Sequence, residues 1–209
     1  LSLHDALPIF DVNQLKIKGK HNIQNAMCAI CYGLIYKVPI KKIKHALINF
    51  SASKFRNTVL NTPGEITFVN DSKSTNIAST LASVQSFNAP IILLLGGSKK
   101  GLNYNQLFEH LPGRVKQIVA FGEIAPDLEK TNTNFKFAKF ETLKSAFEFA
   151  VSLAKAGDVV LFSPSSASYD QYESYVERGN DFNNLVTAYV ATKTLRRSPP
   201  INSIKINVK

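Results

Sequence analysis

The chain has 209 residues, 44% of them hydrophobic, with 25 Lys and Arg against 15 Asp and Glu for a formal net charge of +10. That length allows one large domain, or one domain plus part of another, with enough apolar residues for a core, and no apolar run approaches the roughly 20 residues that a helical membrane span needs. The basic residues are scattered (KIKGK, KKIK, SKK and the tail) without the interleaved aromatics of an RNA-binding signature, so a surface that favours anionic small molecules is preferred to a nucleic-acid interface.

The first ten residues, LSLHDALPIF, match no motif and are expected to be non-native or disordered. They lack the basic start and small-residue cleavage site of a secretory signal, so no export is expected. Residues 21–36, HNIQNAMCAICYGLIY, carry apolar side chains at helical spacing, and 38–50 follow with Pro39 at a first helical turn, predicting a helical hairpin. Cys28 and Cys31 fall inside the first helix and are expected to pack in the core as small hydrophobes, not to form a redox pair. Two cysteines and no signal fit a reducing cytoplasm.

A break near Ser51 to Lys54 separates this piece from an alternating pattern. FRNTVLNTPGEITFVNDS reads as strand, turn and strand about Thr62, Pro63 and Gly64. Thereafter come helix ASTLASVQSF, strand IILLLGG, helix NQLFEHL, strand QIVAFG, helix APDLEK, strand FKFAK, helix LKSAFEFAVSLAKA, strand DVVLFSPS and a long helix from about Tyr169 to Thr194. Strands alternating with helices predict an α/β fold, a mostly parallel sheet with helices on both faces. The tail from Arg196 is basic and expected to be loose.

Three strands end in polar loops: NDSKSTN, GGSKKGLNY and SPSSASYDQY. Ligands of open parallel sheets bind beyond the carboxyl ends of the strands, so these loops are expected to share one pocket holding Asp71, Lys73, Thr75, Asn76, Lys100, Ser168 and Asp170. Ammonium groups, hydroxyls and carboxylates in that combination suit a small zwitterion. Other motifs fail: Leu102 follows Gly101 where a P-loop needs Lys and then Ser or Thr, SASK has neither SDN nor KTG, and His4, His21, His45 and His110 show no metal spacing.

KGKHNIQNAMCAI, the FR of Phe55 and Arg56, NDSKSTN, LLLGGSKKGLNY and LFSPSSASYDQYESYVERGNDF, in that order between about Leu15 and Tyr189, together resemble the carboxyl-terminal part of the Mur ligases, in the branch that adds D-glutamate. The resemblance implies a Rossmann-like amino-acid-binding domain over 55–195, preceded over 11–50 by the closing helices of a central ATPase domain, with 1–10 and 196–209 outside both. It implies ATP-dependent amide bond formation that joins D-glutamate to UDP-N-acetylmuramoyl-L-alanine through an acyl phosphate in cytoplasmic peptidoglycan precursor synthesis, with ATP and Mg2+ as cofactors, in a monomer without nucleic-acid partners.

By position, the resemblance assigns Lys73 and Asp71 to catalysis, Thr75, Lys100, Ser168 and Tyr175 to D-glutamate, and Asn25, Arg56 and Asp71 to the nucleotide. The chain departs from the family pattern at Phe55 (often His), Thr58 and Ser98 (both usually acidic), Tyr175 (commonly Phe), and at Ser165 and Ser166 in SPSSAS. Arg178 reads as an ion-pairing or capping residue. The family's P-loop and carbamoylated lysine do not occur in these residues, so the chain is expected to be inactive alone. The alternative is a non-catalytic amino-acid-binding module derived from such a ligase.

Overall fold

The computed structural model describes residues 10–17, 20–50, 54–60, 62–131 and 134–197. They fall into two compact units, Leu1–Ser53 and Lys54–Lys209. The expectations for residues 1–9 and for the tail beyond Arg197 lie outside the described residues.

In the first unit a short 3-10 turn, Val12–Gln14, precedes helices α1 (Lys20–Ile35) and α2 (Ile40–Asn49). Its small core is Leu15, Ile17, Ala26, Ile43 and Leu47, against which Phe10 also packs. Cys28 and Cys31 are exposed, contrary to the expected core packing. Helix α1 is apolar on more than one side, and only the side bearing Ala26 faces this core, which leaves Met27, Tyr32 and Ile35 at 59%, 65% and 72% exposure. Periodicity reports that a helix has apolar faces, not which of them is covered.

The second unit is a six-stranded sheet: β1 (Thr58–Leu60), β2 (Thr67–Asn70), β3 (Ile91–Gly96), β4 (Val115–Phe121), β5 (Phe137–Phe140) and β6 (Val159–Ser165), in the spatial order β1-β2-β6-β3-β4-β5. The hairpin pair β1 and β2 is antiparallel, and every other pairing is parallel. The runs IILLLG and VVLFSPS are buried at every position, as strands covered on both faces must be.

Alternation divides the inner strands between two cores. Val69, Leu93, Ile118 and Leu161 face α3 (Ile77–Gln85), α4 (Asn105–His110) and α5 (Ala125–Thr131) through Val84, Leu107 and Leu128. Phe68, Leu94, Val119 and Phe162 face α6 (Leu143–Leu153) and α7 (Tyr175–Arg197) through Phe147 and Phe182. Phe162 and Phe182 stack with ring centroids 4.7 Å apart, and such an aromatic pair adds about 0.5–1.5 kcal/mol beyond its area burial.

The last helix starts at Tyr175, six residues later than expected. Residues before it turn instead, with the Gln171 and Tyr172 amides both donating to the Ser168 carbonyl. Ser174 then supplies the cap, its Oγ accepting from the Glu177 amide at 3.2 Å.

The strand order places the ligand end. The helices after β2 and β3 lie on one face of the sheet, whereas α7, which follows β6 between them, lies on the other. The connections therefore diverge on either side of β6, and the sheet opens a crevice beyond its carboxyl ends there.

Candidate functional site

Three loops converge at this crevice: 71–76 after β2, 97–104 after β3 and 166–174 after β6. They are joined by backbone contacts, the Ser165 amide donating to the Ser74 carbonyl and the Ser98 amide to the Ala167 carbonyl, both at 2.9 Å. Ser166 Oγ also donates to the Ser98 carbonyl.

Arg178 binds all three. Its side chain is fully buried. Nε donates to Ser72 Oγ (3.2 Å), Nη2 to the carbonyls of Ser72 and Ser166 (both 2.9 Å), and Nη1 to those of Gly96 (3.3 Å) and Ala167 (3.0 Å). Of these acceptors Gly96 ends β3 and Ser166 directly follows β6, while Ser72 and Ala167 lie two residues beyond β2 and β6, so one guanidinium serves buried carbonyls where these strands end. Burial lowers the guanidinium to about 10, against the opposing charge of Asp170, so it stays protonated at neutral pH. Arg178 is thus structural, as expected, but acts through carbonyl oxygens where an ion pair or a cap was anticipated.

Close approach also explains Gly97. Its φ is 129°, and a Cβ there would lie 2.0 Å from the Ala167 carbonyl oxygen and 2.8 Å from Arg178 Nη1. Only glycine allows the β3 and β6 loops to come this near.

Asp71 is 1% exposed. Oδ1 accepts from the Asn57 amide at 3.1 Å, and Oδ2 accepts from Ser74 Oγ at 2.5 Å and Ser163 Oγ at 2.7 Å. Burial raises its pKa and these donors oppose the rise. The carboxylate therefore ties together the approach to β1, its own loop and β6. Neighbouring residues are held similarly: the Asn70 amide group donates to the Gly179 carbonyl and to Asn183 Oδ1, and Ser72 Oγ donates to the Tyr175 carbonyl.

Around this frame the remaining candidates differ in access. Lys73 is half-buried, its ammonium 5.6 Å from the centroid of the half-buried Tyr175 ring, a cation–π contact that links the β2 loop to the first turn of α7. Thr75 is half-buried, Lys100 is exposed, and Ser168 is 2% exposed with its carbonyl holding the turn before α7. Arg56 is exposed at the head of β1, between Phe55 and Asn57, which both adopt left-handed backbone. Asn25 is exposed on α1, in the other unit.

Two residues expected in the shared pocket point elsewhere. Asn76 caps α3, with Oδ1 accepting from the Ser79 amide at 2.8 Å. Asp170 turns toward the end of β4, where Oδ2 accepts from the Glu123 amide at 3.4 Å and would lie 2.2 Å from a Cβ on Gly122. Sequence reasoning missed Glu123, which closes the β3 loop from the far side. A lone glutamate after a strand reads as a turn residue, and its sequence carries no signal of the contact.

A family model described as Mur ligase, glutamate ligase domain, matches residues 56–166. The chain is 34% identical over 189 residues to a UDP-N-acetylmuramoylalanine--D-glutamate ligase of Clostridioides difficile, covering 89% of this chain and 42% of that protein. It is 35% identical over 185 residues to the ligase of the same name from Coxiella burnetii, covering 86% and 42%. The chain thus spans about two fifths of the length of these relatives. Among solved structures it resembles a pseudomurein peptide ligase type C from Methanothermus fervidus (TM-score 0.64, 16% identity, 84% of this chain and 37% of that one). It also resembles a UDP-N-acetylmuramoylalanyl-D-glutamyl-2,6-diaminopimelate--D-alanyl-D-alanyl ligase from Acinetobacter baumannii (TM-score 0.61, 20% identity, 83% and 38%).

Proposed function

The chain belongs to the Mur ligase family, and on that premise we propose that its second unit is the domain that presents D-glutamate for ATP-dependent amide bond formation with UDP-N-acetylmuramoyl-L-alanine, in cytoplasmic peptidoglycan precursor synthesis. The observation that carries this reading is the convergence of the β2, β3 and β6 loops on Arg178, which gathers Lys73, Thr75, Lys100, Ser168 and Tyr175 onto adjoining segments at the switch point. The identities to the D-glutamate ligases support the choice of amino acid.

Glutamate brings two carboxylates and an ammonium. Lys100 supplies a charged donor for one carboxylate, Ser168 and Thr75 supply hydroxyls, and the Tyr175 ring shields one side. Holding the amine near an activated carbonyl replaces a bimolecular encounter by a local one, the principal protein contribution to this step. Lys73, beside Tyr175, is positioned to offset negative charge that develops on the acyl group. Asp71, enclosed by its three donors, acts by fixing the loop that carries Lys73 and Thr75.

ATP would supply the phosphoryl group that converts the acceptor carboxylate to an acyl phosphate. Asn25 and Arg56, assigned to the nucleotide, are exposed and open to a ligand. Among the described residues no three His, Cys, Asp or Glu side chains are grouped to hold a metal ion, and Mg2+, which commonly takes one or two carboxylates together with phosphate oxygens, is proposed to enter with ATP.

The first unit is assigned to the closing helices of the ATPase domain, over 11–50, with the amino-acid-binding domain over 55–195. Exposed Met27, Tyr32, Ile35 and Tyr36 support that assignment, since a helix apolar on several sides belongs inside a larger domain. They also weigh against the stand-alone module. The working enzyme is proposed to be a monomer in which the residues described here form one side of the active site.

Titration calorimetry tests the reading. The 209-residue chain should bind D-glutamate in preference to L-glutamate, and Lys100→Ala should weaken the D-isomer by about 1–3 kcal/mol, the worth of a charged hydrogen bond. Equal binding of both isomers would overturn the substrate assignment.

A further inference from the structure

The loop after β3 carries two adjacent lysines, Lys99 and Lys100, and the structure separates them. Lys99 Nζ pairs with Asp127 Oδ2 of α5 at 3.1 Å, and the Lys99 backbone amide donates to Glu123 Oε2 at 3.0 Å. Lys100 is exposed and makes no ion pair within 4.0 Å among the described residues. The Glu123 amide in turn donates to Asp170 Oδ2, and the Ile124 amide donates to the Gly97 carbonyl at 3.2 Å, so the segment after β4 grips both ends of the 97–99 stretch.

We infer that Glu123, with Asp127, is a positioning pair that fixes which lysine of the two meets the substrate. The Glu123 carboxylate pins the Lys99 amide and Asp127 draws the Lys99 side chain toward α5, so that the next residue, Lys100, projects away from α5 with its ammonium available to an anionic ligand. A carboxylate accepting from a backbone amide is a charge-assisted bond and sets direction as well as affinity. Ser98 is held to the β6 loop on one side, but between it and Gly101, whose φ is positive, the Glu123 and Asp127 contacts are what distinguish the direction of Lys99 from that of Lys100. The choice of Lys100 over Lys99 is then made by contacts on the far side of the loop from the ligand.

The part of this inference that concerns glutamate rests on the function proposed above, whereas the anchor itself does not. The experiment therefore reads both, on the full 209-residue chain. Amide hydrogen exchange followed by NMR reports the anchor: Glu123→Ala should speed exchange at Lys99 by about tenfold or more, while Glu123→Gln, whose amide oxygen still accepts, should retain most of the protection. Unchanged exchange at Lys99 in Glu123→Ala, with the fold intact by heteronuclear spectra, would overturn the anchor.

Calorimetry with D-glutamate as the probe reports its consequence. Glu123→Ala should weaken binding about three- to tenfold with near-native rescue by Glu123→Gln, and Lys99→Ala should cost less than Lys100→Ala. Equal losses at Lys99 and Lys100 in the otherwise native chain would overturn the division of labour between them. If exchange responds as expected but the native chain binds no glutamate, the substrate assignment fails and the anchor stands.

Discussion

Arg178 grips Ser72 twice, Nη2 donating to its carbonyl at 2.9 Å and Nε to its hydroxyl at 3.2 Å. The same guanidinium takes the carbonyls of Gly96, Ser166 and Ala167. A helix residue thereby sets the spacing of three loops whose side chains form the candidate site, and the polypeptide between those loops is free to vary only within that frame.

Replacing Arg178 by Met should destabilise the second unit by about 3–5 kcal/mol, because a similar volume remains while several buried carbonyls lose their donor. Arg178→Lys should recover only part of this, since one ammonium cannot reach acceptors arrayed around a planar fork. Chemical denaturation of both variants provides the check; a loss within 1 kcal/mol of wild type for Met would refute the staple.

Gly97→Ala should be the most damaging small substitution near the site. The added methyl meets a backbone oxygen at 2.0 Å at a φ of 129°, which combines a clash with a strained backbone, each of the order of 1–3 kcal/mol. A thermal melt indistinguishable from wild type would mean that the β3 and β6 loops can separate without consequence.

Burial raises Asp71 above the ordinary carboxylate value, which gives stability a pH dependence of definite sign. The folded state then binds more protons than the unfolded state between the two pKa values, so this group's contribution falls as pH rises through that window. Asp71→Asn removes the effect, and its amide can still accept from Asn57 and donate to Ser74 and Ser163. The melting temperature of the Asn variant relative to wild type should therefore be more favourable at pH 8 than at pH 4; the reverse order would show that the ionised carboxylate is net stabilising.

Lys73→Ala removes the cation–π contact with Tyr175, worth on the order of 1 kcal/mol, and should lower the melting temperature of the chain by only a few degrees. In a ligase of full family length carrying this segment, the same change should reduce kcat by about a hundredfold or more with a smaller effect on KM for D-glutamate. A pure KM effect would place Lys73 in substrate binding and remove it from catalysis.

Ser165 combines a left-handed backbone, φ 64°, with a buried hydroxyl that has no hydrogen-bond partner among the described residues. Ser165→Gly should relieve both and raise stability by about 1 kcal/mol. Denaturant titration decides this, and a destabilised glycine variant would imply that the hydroxyl has an interaction of its own.

Much of the fold could be read from the sequence because its signals are local. IILLL and VVLF are apolar on every residue, which only a strand covered on both faces tolerates, and the Thr62, Pro63, Gly64 turn announced the β1–β2 hairpin. The polar loops NDSKSTN, GGSKK and SPSSAS marked the ligand end for the same reason: such residues do not follow a buried strand by default. What failed to read was everything settled by partners distant in sequence. Cys28 and Cys31 lie on an apolar helix, but the small core beside them covers another side. Asp170 looked like a pocket carboxylate until the approach of β4 offered it the Glu123 amide.

The sequence by itself determined the alternation of strands and helices, the polar loops and the family, because these depend on periodicity and on the order of residues along the chain. Only the tertiary structure decided that Arg178 is a buried staple, that Asp71 is enclosed, and that Lys99 pairs with Asp127. The first two outcomes follow from inserting β6 between β2 and β3, which brings strand ends far apart in sequence within hydrogen-bonding distance of one donor, and the third from β4 lying beside β3.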